Sequence, residues 1–262
     1  MTDREPAFRR ILVGLDSSSG SLAVLGTSAR LAAQLRAGLV GLFVEDQELL
    51  HMAALPFTTV AGHGPMSRAL DRPTVERSLR RAATAARGAL EAFAARTPLE
   101  WSFRVVRGRI GAELAQASGT EGCDLLIVTH SSLGAAAPTE IPESPASTLY
   151  LRSTGLAPGP VLLLFEDGAG GRSALRAVAG LAAATERDLV ILVSGGDLPV
   201  SAATALEGLG AKFRVVPIGA SRDALTAAVR LEAGALVVLS AERRAEGAAI
   251  LDTTPSSVLV LR

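Results

Sequence analysis

Two clusters of hydroxyl residues in this chain each follow an apolar run, and each carries one residue able to exchange a proton. Asp16 with Ser17, Ser18 and Ser19 closes ILVGLDSSSG, and Thr129, His130, Ser131 and Ser132 close DLLIVTHSSLG. Hydroxyls can bind an anion, and an imidazole can act as a general base. One reading is therefore a small hydrolase built on Asp16 and His130, with Ser17 as nucleophile. Against it, adjacent residues at a strand tip, as Asp16 and Ser17 are, point to opposite sides. Serine, threonine and aspartate also serve simply as helix caps and turn formers, and a turn histidine needs no chemical role. A third segment, EDGAGGRS from Glu166 to Ser173, has the glycines of a phosphate loop. It lacks the Gly-Lys-Ser/Thr ending of a Walker loop, the only lysine being Lys212, and Ser173 stands at the third glycine of the dinucleotide fingerprint. It reads as a tight turn between strand and helix.

His51 and His63 lie apart without the spacing of a metal site, and Cys123 is the only cysteine, so neither a metal centre nor an internal disulfide is expected. The 26 basic and 26 acidic residues cancel, which removes the electrostatic footprint of nucleic-acid binding, and 3% aromatic residues leave little to stack on bases. Arg77, Arg80, Arg81 and Arg87 are interleaved with Glu76 and Glu91 and read as a solvated helix face. The opening MTDREPAFRR is charged where a signal peptide needs an apolar core, and no run approaches the roughly 20 apolar residues of a membrane span. A soluble, cytoplasmic protein with no membrane partner is expected.

Strands must hold both hydroxyl clusters. ILVGL, LVGLFVED, WSFRVV and DLLIVTH have strand length, while SLAVLGTSARLAAQLR, Pro73 to Ala95 and RIGAELAQASGTEG have helical apolar spacing. Their alternation is that of βαβ units in a parallel sheet covered on both faces. The pattern then repeats. A shift of 150 residues sets ILVGLDSSSG against VLLLFEDGAG and Asp16 against Glu166, and a shift of 110 sets FRVV at Phe103 to Val106 against an identical FRVV at Phe213 to Val216. The chain divides into two α/β units, residues 1–159 and 160–262, the first carrying an insertion at about 46–72 that the shorter second one lacks. That insertion opens with EDQELLHMAALPF, read as a short helix over the sheet or against a partner, and contains the loop GHGP. STLYLRSTG reads as a helix, which leaves one strand, PVLLLF, between the units. Because EDGAGG and a helix follow, it is assigned as the first strand of the second unit, and the first unit is expected to lack a fifth strand.

The order of a strand with Asp and Ser, helix, strand ending in Phe-Val, long helix, strand, helix and a Cys-Asp-led strand is similar to the universal stress protein family. Residues 8–262 resemble a tandem of two such units. The resemblance implies an α/β fold, adenine nucleotide alpha hydrolase-like and Rossmann-type, with mostly parallel sheets in the order 3-2-1-4-5, or 3-2-1-4 where the fifth strand is missing. Units of the family dimerise through fifth strands, which implies an intramolecular pseudo-dimer here, asymmetric and with an edge left for further homodimerisation. The resemblance also implies a site beyond the carboxyl ends of strands 1 and 4. Adenine would lie near the aspartate after strand 1, and phosphates on a motif of Gly, two residues, Gly, nine residues and Gly-Ser/Thr. On that motif Thr129 and Ser132 stand at the first two glycines, and Ser147 and Thr148 at the final pair, read as a helix start. The spacer from Leu133 to Ala146 is 14 residues long, with three prolines. In the second unit Ser240 and Arg243 take the glycine positions. Asp16, Val44 at the end of strand 2 and Thr148 remain of the pattern, so Asp16, Val44, Thr129, His130, Ser132, Ser147 and Thr148 form a candidate degenerate ligand site.

Bare backbone lets a phosphate approach, and a threonine or serine side chain stands in its way. The expectation is a non-enzymatic protein with no cofactor and no tightly held ATP, acting in the stress response through an unidentified protein or small molecule. The alternatives are an adenine-nucleotide switch that uses hydroxyls in place of glycines, and the hydrolase of Asp16 and His130.

Overall fold

The apolar runs become strands of a single ten-stranded sheet. A computed structural model describes residues 8–54, 59–60, 68–69, 71–129, 144–196, 198–207 and 212–262. The first half runs β1 (Arg10–Leu15), α1 (Ser21–Leu35), β2 (Gly38–Asp46), α2 (Gln47–Met52), a small antiparallel pair β3 (Thr59–Val60) and β4 (Arg68–Ala69), α3 (Arg72–Ala94), β5 (Trp101–Gly108), α4 (Ile110–Thr120), β6 (Leu125–Thr129) and β7 (Ser147–Leu151). The second half runs β8 (Val161–Phe165), α5 (Ala169–Ala184), β9 (Leu189–Ser194), α6 (Val200–Glu207), β10 (Phe213–Ile218), α7 (Arg222–Leu231), β11 (Leu236–Ser240), a 3-10 turn (Ala241–Arg243), α8 (Arg244–Thr253) and β12 (Ser257–Leu261).

STLYL is a strand, β7, and not the start of a helix. It pairs in parallel with β6 and antiparallel with β12, and all five of its residues are buried. Ser147 and Thr148 look like a helix cap in sequence, but a strand paired on both sides and covered on both faces shows no polar alternation. Both halves are therefore complete, β5-β2-β1-β6-β7 and β10-β9-β8-β11-β12, each in the order 3-2-1-4-5. PVLLLF is the first strand of the second half, as its followers indicate.

The halves join through their fifth strands. Leu149 faces Leu259, with Thr148 opposite Val260 and Tyr150 opposite Val258. Leu259 lies 110 residues after Leu149, so a residue meets its own repeat there, and a pseudo-twofold axis passes between the two leucines. The matching FRVV segments are not in matching register. Phe103 pairs with Gly41, whereas Phe213 pairs with Leu189, the counterpart of Leu39. The slip is two residues, which keeps every side chain on its original face.

Helices cover both faces. On one, Val24 of α1, Leu79 of α3, Leu175 of α5 and Ala202 of α6 pack on Ile11, Leu149 and Leu259 in one continuous core. On the other, Leu114 of α4, Leu225 of α7 and Ile250 of α8 pack on Leu12, Tyr150 and Val258. In α3 the buried positions Val75, Leu79, Ala83, Ala86 and Leu90 form one stripe. Arg77, Arg80, Arg81 and Arg87 are exposed, so the solvated face is borne out.

Candidate functional site

A parallel sheet that reverses its strand order opens a crevice between the two strands that flank the reversal. Here these are β1 and β6 in the first half, β8 and β11 in the second. The β1–β6 register, Ile11 with Leu125 and Val13 with Ile127, puts Asp16 and Thr129 at one edge of the sheet. Val44 lies at the same edge, one residue beyond the Leu15–Phe43 pair. Val44 and Thr129 are both buried.

Asp16 is engaged by its own turn. Its Oδ1 accepts the Ser18 N–H at 2.9 Å and the Ser21 Oγ–H at 2.7 Å, and its N–H donates to Ser21 Oγ at 3.0 Å. Such a ring steers the chain from β1 into α1, as an aspartate turn does. Ser147 and Thr148 lie elsewhere. Ser147 is level with Leu125, four residues from Thr129 at the amino end of the parallel strand, about 13 Å away at 3.3 Å per residue. Ser147 Oγ accepts the Arg262 N–H at 3.3 Å, and Thr148 lines a cavity of about 300 Å³ at the seam with Tyr150, Arg244 and Val260. Burial pushes the Tyr150 phenol up, with Arg244 and Thr148 pulling the other way. The structure thus brings Asp16, Val44 and Thr129 together and separates Ser147 and Thr148 from them. His130 and Ser132 lie outside the described residues, as do His63 and the GHGP loop.

One wall of the second crevice is a network of its own side chains. Glu166, the counterpart of Asp16, accepts the Ser240 Oγ–H on Oε2 at 2.5 Å and the Arg243 Nε–H on Oε1 at 2.9 Å. Arg243 also donates to Glu246 at 3.0 Å, and its pKa is raised by the hydrogen bonds to Glu166 and Glu246. The cavity beside Arg243 and Glu246 is only about 20 Å³, room for about one water. Glu246 was absent from the sequence reading, although its place three residues after Arg243 on a helical turn is a legible signal. The turn EDGAGGRS behaves as read. Gly168 has φ 131°, and a Cβ on Gly171 would stand 1.7 Å from the Glu166 carbonyl oxygen, so the chain folds back where no side chain fits.

At the far edge of the first half, buried Glu45 accepts Arg107 Nε at 3.0 Å and Nη2 at 2.8 Å, and Glu48 at the start of α2 pairs with Arg109 at 3.2 Å. These pairs tie the described start of the insertion to the end of β5, and Leu50 and Ala53 join the core. Spacing does not reveal them, since Glu45 and Arg107 meet only across the β2–β5 register. Among the described residues no cluster of three or more His, Cys, Asp or Glu could hold a metal, and no helix is long and apolar enough to cross a membrane.

Comparison with known proteins places this geometry. The sequence pattern of the universal stress protein family matches residues 7–138. A universal stress protein from Archaeoglobus fulgidus has a similar solved structure, with a TM-score of 0.64 at 11% identity, covering 98% of this chain and 96% of that one. A protein of unknown function from Pseudomonas aeruginosa PAO1 has a TM-score of 0.59 at 16% identity, covering 98% and 93%. No curated protein sequence matches the chain.

Proposed function

The chain belongs to the universal stress protein family, and on that premise we propose that it is a non-enzymatic binding protein of the stress response that does not hold ATP tightly. The observation that carries this reading is Arg243. It stands where the family pattern needs a glycine, and its guanidinium is held between Glu166 and Glu246. Two carboxylates beside that position disfavour an incoming phosphate. In the first half the separation of Ser147 and Thr148 from Thr129 supports the same reading, because both belonged to the expected phosphate cradle. Asp16 bonded to Ser18 and Ser21 speaks for a structural turn over a hydrolase. A second reading, an adenine-nucleotide switch, is favoured by one feature, the shared edge of Asp16, Val44 and Thr129. Calorimetric titration with ATP, ADP and AMP separates the two. The proposal expects no saturation below millimolar ligand, and a Kd under about 10 µM, some 7 kcal/mol of binding, would refute it.

A further inference from the structure

The segment that joins the halves, Ser153 to Pro158, lies against a groove of the first half. The Arg152 N–H donates to Ser257 Oγ at 3.2 Å, Thr27 Oγ1 on α1 donates to the Thr154 carbonyl at 2.8 Å, and Leu156 packs on the core. Thr154 lies against Gly20, where a Cβ would stand in contact with its Cγ2 at 3.4 Å. The internal repeat carries each contact point into the other half. Adding 150 turns Gly20 into Gly170 and Thr27 into Ala177, and subtracting 110 turns Ser257 into Ser147. Gly170, Ala177 and Ser147 all line one cavity of about 950 Å³. Even the anchoring amide recurs, because Arg262, 110 residues after Arg152, donates its N–H to Ser147 Oγ. One groove holds a stretch of chain, and its repeat is a cavity at the upper end of the range of ligand pockets, about 300–1,000 Å³.

We propose that this cavity is a docking site for an extended peptide of the linker's own pattern, small hydroxyl residues and glycine followed by one large aliphatic side chain, with a basic residue beside them. Its floor includes Phe8, Leu163 and Phe165, all buried, and takes the aliphatic group as the first half takes Leu156. Its charge is complementary to a cation. Asp124, Glu166, Asp167 and Glu242 line it against one guanidinium, Arg262, and Asp167 replaces the Ser17 of the first half. Asp124 is engaged by the Arg9 and Arg10 amides and Glu166 by Arg243, whereas Asp167, which accepts the Gly168 N–H, and Glu242, which accepts its own N–H, are both exposed and meet the basic residue. The proposal rests on the reading of the chain as a binding protein and gives that reading a site.

The test is titration of the full chain with a fluorescein-labelled octapeptide of residues 152–159, RSTGLAPG, followed by anisotropy. Saturable binding that weakens with salt is expected, lost when the peptide carries Leu156→Asp and lost in the protein variant Ala177→Trp, which fills the groove. Ala177→Thr restores the donor that Thr27 supplies in the first half and should tighten binding about fivefold, the worth of one net hydrogen bond. A thermal melt checks that Ala177→Trp is folded, and Ala177→Thr gives a readout that misfolding cannot imitate. No saturation up to about 1 mM peptide, or binding indifferent to both Ala177 variants, overturns the proposal. Binding seen only after removal of residues 1–7 assigns the groove to the chain's own first residues, and self-association abolished by Ala177→Trp assigns it to a second copy; either result also overturns it. Failure of the peptide to bind leaves the nucleotide titration, and the broader reading, standing.

Discussion

The bonds that Asp16 makes to Ser18 and Ser21 assign it a stability role that can be measured. Asp16→Ala should cost about 1 kcal/mol, the usual loss for a polar cap replaced by alanine, read from the urea midpoint. An unchanged midpoint would contradict that role. Arg243→Ala should cost less, no more than about 1 kcal/mol, because Arg243 and Glu166 are 37% and 36% exposed and water screens the pair. Most of that loss should vanish at high salt. Cys123 offers a pH signature. Burial, the largest cause, pushes its thiol from 9.0 up to about 11. Between those values the unfolded chain has released a proton that the folded chain keeps, so stability falls as pH rises through the window. Cys123→Ala should flatten that slope, and a slope equal in both proteins would show that the thiol titrates normally. Sequence placed Arg243 at a glycine position and Asp16 at a strand end. It could not show that Arg243 reaches Glu166, which lies 77 residues away and is brought close only by the β8–β11 register.

At the scale of elements, long runs with one period were legible and β7 was not. α3 and β1 each repeat a single signal over many residues, whereas STLYL has five residues, two of them hydroxyls, and its strand character comes from partners on both sides. The expected placement of Ser147 and Thr148 went with it, because they reached the phosphate position only through a helix start that is not there. The turn before α5 gives a paired prediction. Gly171→Ala must displace the Glu166 carbonyl and should cost about 1–3 kcal/mol, as overpacking does. One residue earlier, Gly170→Ala meets no atom within 4 Å and should be neutral or stabilise the helix by up to about 1 kcal/mol. Chemical denaturation of the two variants checks the pair, and equal midpoints would contradict the tight turn.

For the whole molecule, completion of β7 changes the expected association. An incomplete first half would have left a fifth-strand edge for homodimerisation, but β7 and β12 satisfy each other. The outer strands are β5 and β10, and they carry Arg104 and Arg107, and Arg214 and Pro217, residues that discourage edge pairing. Light scattering at tens of micromolar is therefore expected to give a mass near the 26.9 kDa of one chain, and a mass near twice that would show another interface at work. The antiparallel seam has a further consequence. It turns the halves head to tail, so the crevice at β1 and β6 opens on one edge of the sheet and the crevice at β8 and β11 on the opposite edge. Five strand spacings of about 4.8 Å, roughly 24 Å, also lie between β1 and β8. A divalent ligand too short to wrap around the sheet gains no avidity from the duplication, because both ends cannot engage at once. Duplication in this geometry sets the two crevices back to back, and does not build a clamp that grips one ligand twice.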